Sequence, residues 1–77
     1  MFLMRFDPRL APGTWSKAKM VDGQPTALAC CVNGHIASLS GHDIAADGTV
    51  TPSLVCPEDG CIFHEFVQLD NWMREWS

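Results

Sequence analysis

The sequence predicts a small, mainly β fold, α+β at most, with helix confined to a short C-terminal segment. Three observations predict it. Short runs alternate apolar and polar residues with the two-residue period of half-buried strands. Between the runs stand Asp22-Gly23, Asn33-Gly34 and Asp47-Gly48, hairpin signals in which glycine takes positive φ at no steric cost. Finally, all four cysteines and two of the three histidines fall in two clusters that bracket a β segment. The first is Cys30-Cys31-Val32-Asn33-Gly34-His35. The second is Cys56-Pro57-Glu58-Asp59-Gly60-Cys61-Ile62-Phe63-His64.

Residues 1–12 contain Pro8 and Pro12 and no sustained period. They read as an extended arm whose Phe2, Leu3 and Phe6 lie over the core. Residues 13–32 read as a hairpin turned at Asp22-Gly23, with Trp15, Lys17, Lys19 and Val21 on one face and Ser16, Ala18 and Met20 on the other. Pro25 is held to the start of the returning strand, because it cannot donate within a ladder. Residues 30–69 form a second β unit. In it, 35–39 is a short strand broken at Ser40-Gly41, and 49–55 is a branched β run. Pro52 assigns that run to an edge or a bulge. Residues 61–69 are the longest strand, apolar on both faces and therefore expected at the centre. Asp70 is expected to cap a short helix within 70–77, where Trp72 and Trp76 share one face.

A chain of 77 residues with 47% hydrophobic and 18% charged residues reads as one folded domain, 1–77. A core of that size contributes only ~3–5 kcal/mol, so a staple is expected, from metal or from disulfides. The apolar start, Met1 to Met4, is interrupted by Arg5 and Asp7, short of the ~7–15 residues of a secretory signal. No run approaches the ~20 apolar residues of a membrane span. A cytoplasmic, reducing location is therefore expected, in which clustered thiols point to metal. Net charge is −4, and Arg5, Arg9, Lys17, Lys19 and Arg74 are scattered. Nucleic-acid binding needs clustered cations, so the expected partner is a protein.

Zinc takes four tetrahedral ligands, most often thiolates and imidazoles. A Cys-x-x-Cys-Gly knuckle would place its second thiolate where this chain has Asn33. Cys30, Cys56 and Cys61 are expected to ligate, with the fourth place taken by His35, then Cys31, then His64. Cys31 ranks behind His35 because neighbours on a strand point to opposite faces. The plain alternative is that the cysteines are buried thiols. His42 reads as a loop residue, and Ser40, His42 and Asp43 lie too close together on one loop to form a triad. Phe63, Phe66, Trp72 and Trp76 read as core.

Two Cys-bearing turns separated by a β segment are the plan of a zinc ribbon. Residues 30–72 resemble a group of small, uncharacterised bacterial and phage zinc-ribbon-like proteins. The shared pattern runs Cys-x-x-Cys-Gly-His, Ser-Leu-x-x-His-x-Ile, Asp-Gly-x-Val-x-Pro-Ser and Cys-Pro…Cys-x-Phe-His-x-x-Val-x-Leu-x-x-Trp. The chain meets it at Cys30, Gly34, His35, Ser38, Leu39, His42, Ile44, Asp47, Gly48, Val50, Pro52, Ser53, Cys56, Pro57, Cys61, Phe63, His64, Val67, Leu69 and Trp72, and departs at Asn33. The resemblance implies a ribbon-like fold and a zinc site, with no activity to carry over. The function expected is a structural zinc-binding module presenting a protein-interaction surface, an accessory protein of phage or bacteria. Two alternatives stand beside it. One is a nucleic-acid-binding ribbon. The other is a metal-dependent enzyme with an open coordination position, with Glu58, Asp59 or Glu65 as base.

Overall fold

The computed structural model describes residues 1–76. In chain order its elements are β1 (Phe2–Phe6), β2 (Thr14–Lys19), β3 (Pro25–Cys30), β4 (Ile36–Ser38), β5 (Asp43–Ile44), β6 (Val50–Thr51), β7 (Leu54–Val55), β8 (His64–Glu65), β9 (Val67–Leu69) and α1 (Trp72–Glu75). The mainly β class is as the alternation predicts. Five strands make one sheet in the order β4-β3-β2-β1-β9, while β5-β6 and β7-β8 are separate two-stranded ribbons. The helix expected within 70–77 is shorter than that span, and Ser77 lies outside the described residues.

The β2–β3 hairpin pairs Trp15 with Ala29 and Lys19 with Pro25. Its turn closes through Met20 N–H to the Gln24 carbonyl, with Gly23 at φ 86°. The N-terminal segment is not an arm laid over the core. β1 is a strand inside the sheet, parallel to β2 on one side and to β9 on the other. Two successive turns, closed by Leu10 N–H to Asp7 O and Thr14 N–H to Ala11 O, return the chain from β1 to β2. That tight return confines the parallel contact to Arg5–Thr14 and Phe6–Trp15. The prolines Pro8 and Pro12 sit in this return, where a missing N–H does no harm.

The run 61–69 is not one central strand. Phe66 divides it: β8 pairs with β7, and β9 forms an edge of the large sheet against β1. The Phe66 carbonyl accepts from Phe2 N–H as the chain passes from one sheet to the other. Within the run, Phe63, Val67 and Leu69 are buried while Ile62 and Phe66 are exposed. The run 49–55 is divided likewise, at Pro52, whose peptide bond with Thr51 is cis. Thr49 bridges to Gln68, and Leu69 N–H donates to the Gly48 carbonyl, which ties the β5–β6 ribbon to β9. Gly48 has φ 90°, and a Cβ there would collide with the Leu69 carbonyl oxygen.

The core gathers around Trp15, fully buried with Met4, Leu39, Val50, Val67 and Leu69. Its indole N–H donates to the Asp70 carbonyl at 3.0 Å, so the one polar atom of a large buried side chain is satisfied. Phe6, Trp15, Trp72 and Trp76 form a chain of edge and tilted ring contacts 5.0–5.8 Å apart. Trp72 and Trp76 share the inward side of α1, as their four-residue spacing predicts. Asp70 is not the helix cap. Its N–H donates to Met4 O and its carbonyl accepts from Trp15, so its backbone belongs to the end of the sheet. Asn71, left-handed at φ 60°, takes the cap position without a side-chain capping bond. No helix among the described residues is long and apolar enough to cross a membrane.

Candidate metal centre

The first cluster is built by a hairpin turn. Gly34 N–H donates to Cys31 O, and Cys31 N–H donates to His35 O, with Gly34 at φ 88°. Val32, Asn33 and Gly34 are thus a three-residue loop with a left-handed third position, a favoured way to close a hairpin. The ladder beyond the loop pairs Cys30 with Ile36. Cys31 and His35 are therefore the closing cross-strand pair, and paired residues project from the same face. Cys30 and Ile36 project from the other.

The second cluster follows β7. Leu54 pairs with Glu65 and Val55 with His64, and Cys56 N–H donates to Phe63 O. Between Cys56 and Phe63 the chain turns at residues 58–61, with Cys61 N–H donating to Glu58 O and Gly60 at φ 81°. Cys61 is thereby folded back toward the first hairpin.

Cys31, His35, Cys56 and Cys61 meet there, with their four ligand atoms all within 4.8 Å of one another. Cys31 Sγ lies 3.6 Å from His35 Nδ1 and 3.8 Å from Cys61 Sγ, and Cys56 Sγ lies 3.5 Å from His35 Nδ1. Cys31 and Cys56 are buried, whereas Cys61 and His35 are partly exposed. The four cysteines are free of disulfides. This group of three thiols and an imidazole can hold a metal ion.

Of the expected ligands, the structure brings His35, Cys56 and Cys61 together. It does not bring Cys30. That side chain is buried on the opposite face of β3, and its carbonyl accepts from Gly13 N–H. Cys31, placed second among the candidates for the fourth position, stands in the cluster instead. The physical reason is the loop length, which makes Cys31 and not Cys30 the partner of His35. His64 is also outside, on β8, where its Nε2 meets Ser53 Oγ at 2.8 Å. Asn33 is beside the cluster but not one of its ligand-bearing residues: its Nδ2 donates to Cys61 Sγ at 3.5 Å. His42 is half-buried in the loop after β4, its N–H donating to Leu39 O.

The thiols differ in electrostatic setting. Burial pushes Cys56 up to about 11, and neighbouring thiols add to that. Cys61 is drawn down to about 6, first by the Phe63 backbone N–H and then by the Asn33 amide. Cys30 is raised by burial and by the nearby Cys31 sulfur. Comparison of the chain with protein-family models, curated proteins and solved structures finds no match.

Proposed function

We propose that the chain is a structural zinc module, held by Cys31, His35, Cys56 and Cys61, that serves as a binding partner for another protein. The observation that carries the zinc reading is metric. Zinc binds thiolate at ~2.3 Å and imidazole at ~2.0–2.1 Å, so tetrahedral geometry sets edges of about 3.8 Å between sulfurs and about 3.5–3.6 Å from sulfur to nitrogen. Three of the six edges match these values, 3.8 Å between Cys31 and Cys61, and 3.6 and 3.5 Å from His35 to Cys31 and Cys56, and all six lie within 4.8 Å. A set of soft sulfurs with one imidazole suits zinc over magnesium or calcium, which prefer oxygen.

Four protein donors fill a tetrahedral ion, and filled sites are structural while catalytic zinc keeps a place for water. Asn33 therefore does not leave an open position, since Cys31 supplies the remaining thiolate. This favours the structural module over a metal-dependent enzyme. The site also joins two segments far apart in the sequence. It ties the β3–β4 turn to the loop between β7 and β8, and β7–β8 is a ribbon of only two residue pairs. Such a ribbon is marginal alone in water.

A protein partner is supported by the net charge of −4, which disfavours the phosphate backbone. The apolar groups of the two chain ends are largely taken up by the fold: Trp72 is buried, Phe2, Phe6 and Trp76 are partly buried against the core, and Leu3 is exposed. The exposed aliphatics instead include Val32, Ile36, Val55 and Ile62, each next in sequence to a cluster residue. Native mass spectrometry tests the zinc reading: one zinc per chain is expected, lost when Cys56 and Cys61 are both replaced by serine. A metal-free protein after growth and refolding in zinc would refute it.

A further inference from the structure

We infer that Asn33 is an outer-shell residue of the metal centre, donating its amide N–H to the Cys61 sulfur and so setting how readily that thiolate reacts and lets go of the ion. The inference rests on the zinc reading above.

Asn33 occupies the middle of the three-residue loop that joins Cys31 to His35, and its Nδ2 reaches Cys61 Sγ at 3.5 Å. The contact crosses from one knuckle to the other. Among the three sulfurs it falls on the one that solvent reaches, because Cys31 and Cys56 are buried and Cys61 is partly exposed. An N–H donor withdraws charge from a metal-bound thiolate. Its sulfur then attacks electrophiles more slowly, and partners of this kind commonly matter 10–100-fold in metal retention, on the order of their effect elsewhere. Asn33 thus guards the vulnerable corner of the site. Its position has a second explanation, since asparagine suits the turn itself. Aspartate suits that turn equally well, keeps the shape and lacks the N–H. The two roles can therefore be separated.

The test uses zinc-loaded wild type, Asn33→Ala, Asn33→Asp and Asn33→Gln, with N-ethylmaleimide as electrophile and a zinc-responsive dye as readout. In the reaction the Cys61 sulfur forms a bond to one alkene carbon of the maleimide, the other carbon takes a proton from water, and the zinc–sulfur bond breaks. Zinc release is expected to accelerate about fivefold or more in Asn33→Ala and Asn33→Asp, the factor that one net hydrogen bond is worth. The first adduct is expected on Cys61 by peptide mass mapping, and Asn33→Gln is expected to recover part of the protection. Release from Asn33→Asp at the wild-type rate, with one zinc bound to each, would overturn the inference and leave Asn33 as a turn residue only. A wild type that binds no zinc would overturn the metal reading and this inference with it, and native mass spectra recorded beforehand distinguish the two failures.

Discussion

Exchanging the two adjacent cysteines one at a time is the sharpest test of the site. Cys31 closes the hairpin opposite His35, while Cys30 pairs with Ile36 on the other face. Structural zinc in small domains is worth ~10–16 kcal/mol in apparent binding energy. Shared over four ligands, one thiolate is worth about 3 kcal/mol, a factor of about 100 or more in affinity. Cys31→Ser should therefore weaken zinc at least that much in competition with a chromogenic chelator. Cys30→Ser should keep one zinc at near wild-type affinity. It should lose stability instead, because Cys30 is 2% exposed and a hydroxyl buried without a partner costs about 1–3 kcal/mol. Two measurements on each variant, chelator competition and thermal melting, separate the effects. The reasoning is refuted if Cys30→Ser loses the metal while Cys31→Ser retains it, since the hairpin register would then be shifted by one residue.

Three further outcomes follow from the same geometry. Chelator should lower the melting temperature of the zinc-loaded protein steeply, because the metal contributes ~10–16 kcal/mol against a net stability of ~5–15 kcal/mol; an unchanged melting temperature after verified metal removal would contradict this. In metal-free protein held in reductant and cooled below that lowered melting temperature, iodoacetamide should label Cys61 first and Cys56 last. Cys61 is ionised above about 6 and Cys56 only above about 11, so Cys61 labelling should fall as pH drops through about 6, along with the stability its thiolate contributes above the ordinary thiol range. Gly48→Ala should destabilise by more than about 2 kcal/mol, combining left-handed strain of ~1–2 kcal/mol with collision against the Leu69 carbonyl. Gly41→Ala, at the same φ of 90° in open space, should cost only the strain, and equal losses in the two would sink the steric argument.

Much of the fold is legible from turn chemistry. Asp22-Gly23 marks the β2–β3 hairpin, and the pairing of Trp15 with Ala29 follows from it. Asn33-Gly34 marks the β3–β4 turn and Asp47-Gly48 the β5–β6 turn. What the local pattern hides is long-range pairing. β1 carries no hairpin signal because its partners, Thr14–Trp15 and Val67–Leu69, lie parallel to it. Parallel neighbours are not joined by a tight two-residue turn. The run 61–69 looks central because Ile62 and Phe66 are apolar, yet both are exposed. Apolar residues on the surface are ordinary, so apolarity on both faces does not by itself set a strand at the centre of a sheet.

The site is legible in the sequence as a pair of clusters, and the structure gathers Cys31 in place of the neighbouring Cys30 with His35, Cys56 and Cys61. A Cys-x-x-Cys-Gly-His template aligns Cys30 as the first ligand and Asn33 as a lost second one, and on that reading restoring a thiol at position 33 should tighten the metal. Counting the loop gives another answer. Gly34 in the left-handed third position makes a loop of Val32, Asn33 and Gly34, so Cys31 must face His35. A shift of one residue sends every side chain of a strand to the opposite face, which is why Cys30 and Cys31 cannot substitute for each other. On this register Asn33→Cys adds a thiol beside Cys61 in a site already holding four donors. The expected result is no gain in zinc affinity, measured by chelator competition, together with loss of the amide bond to Cys61. A tenfold or greater gain would mean that position 33 is a ligand position after all, and that Cys31 is displaced from the ion when a better-placed sulfur is offered.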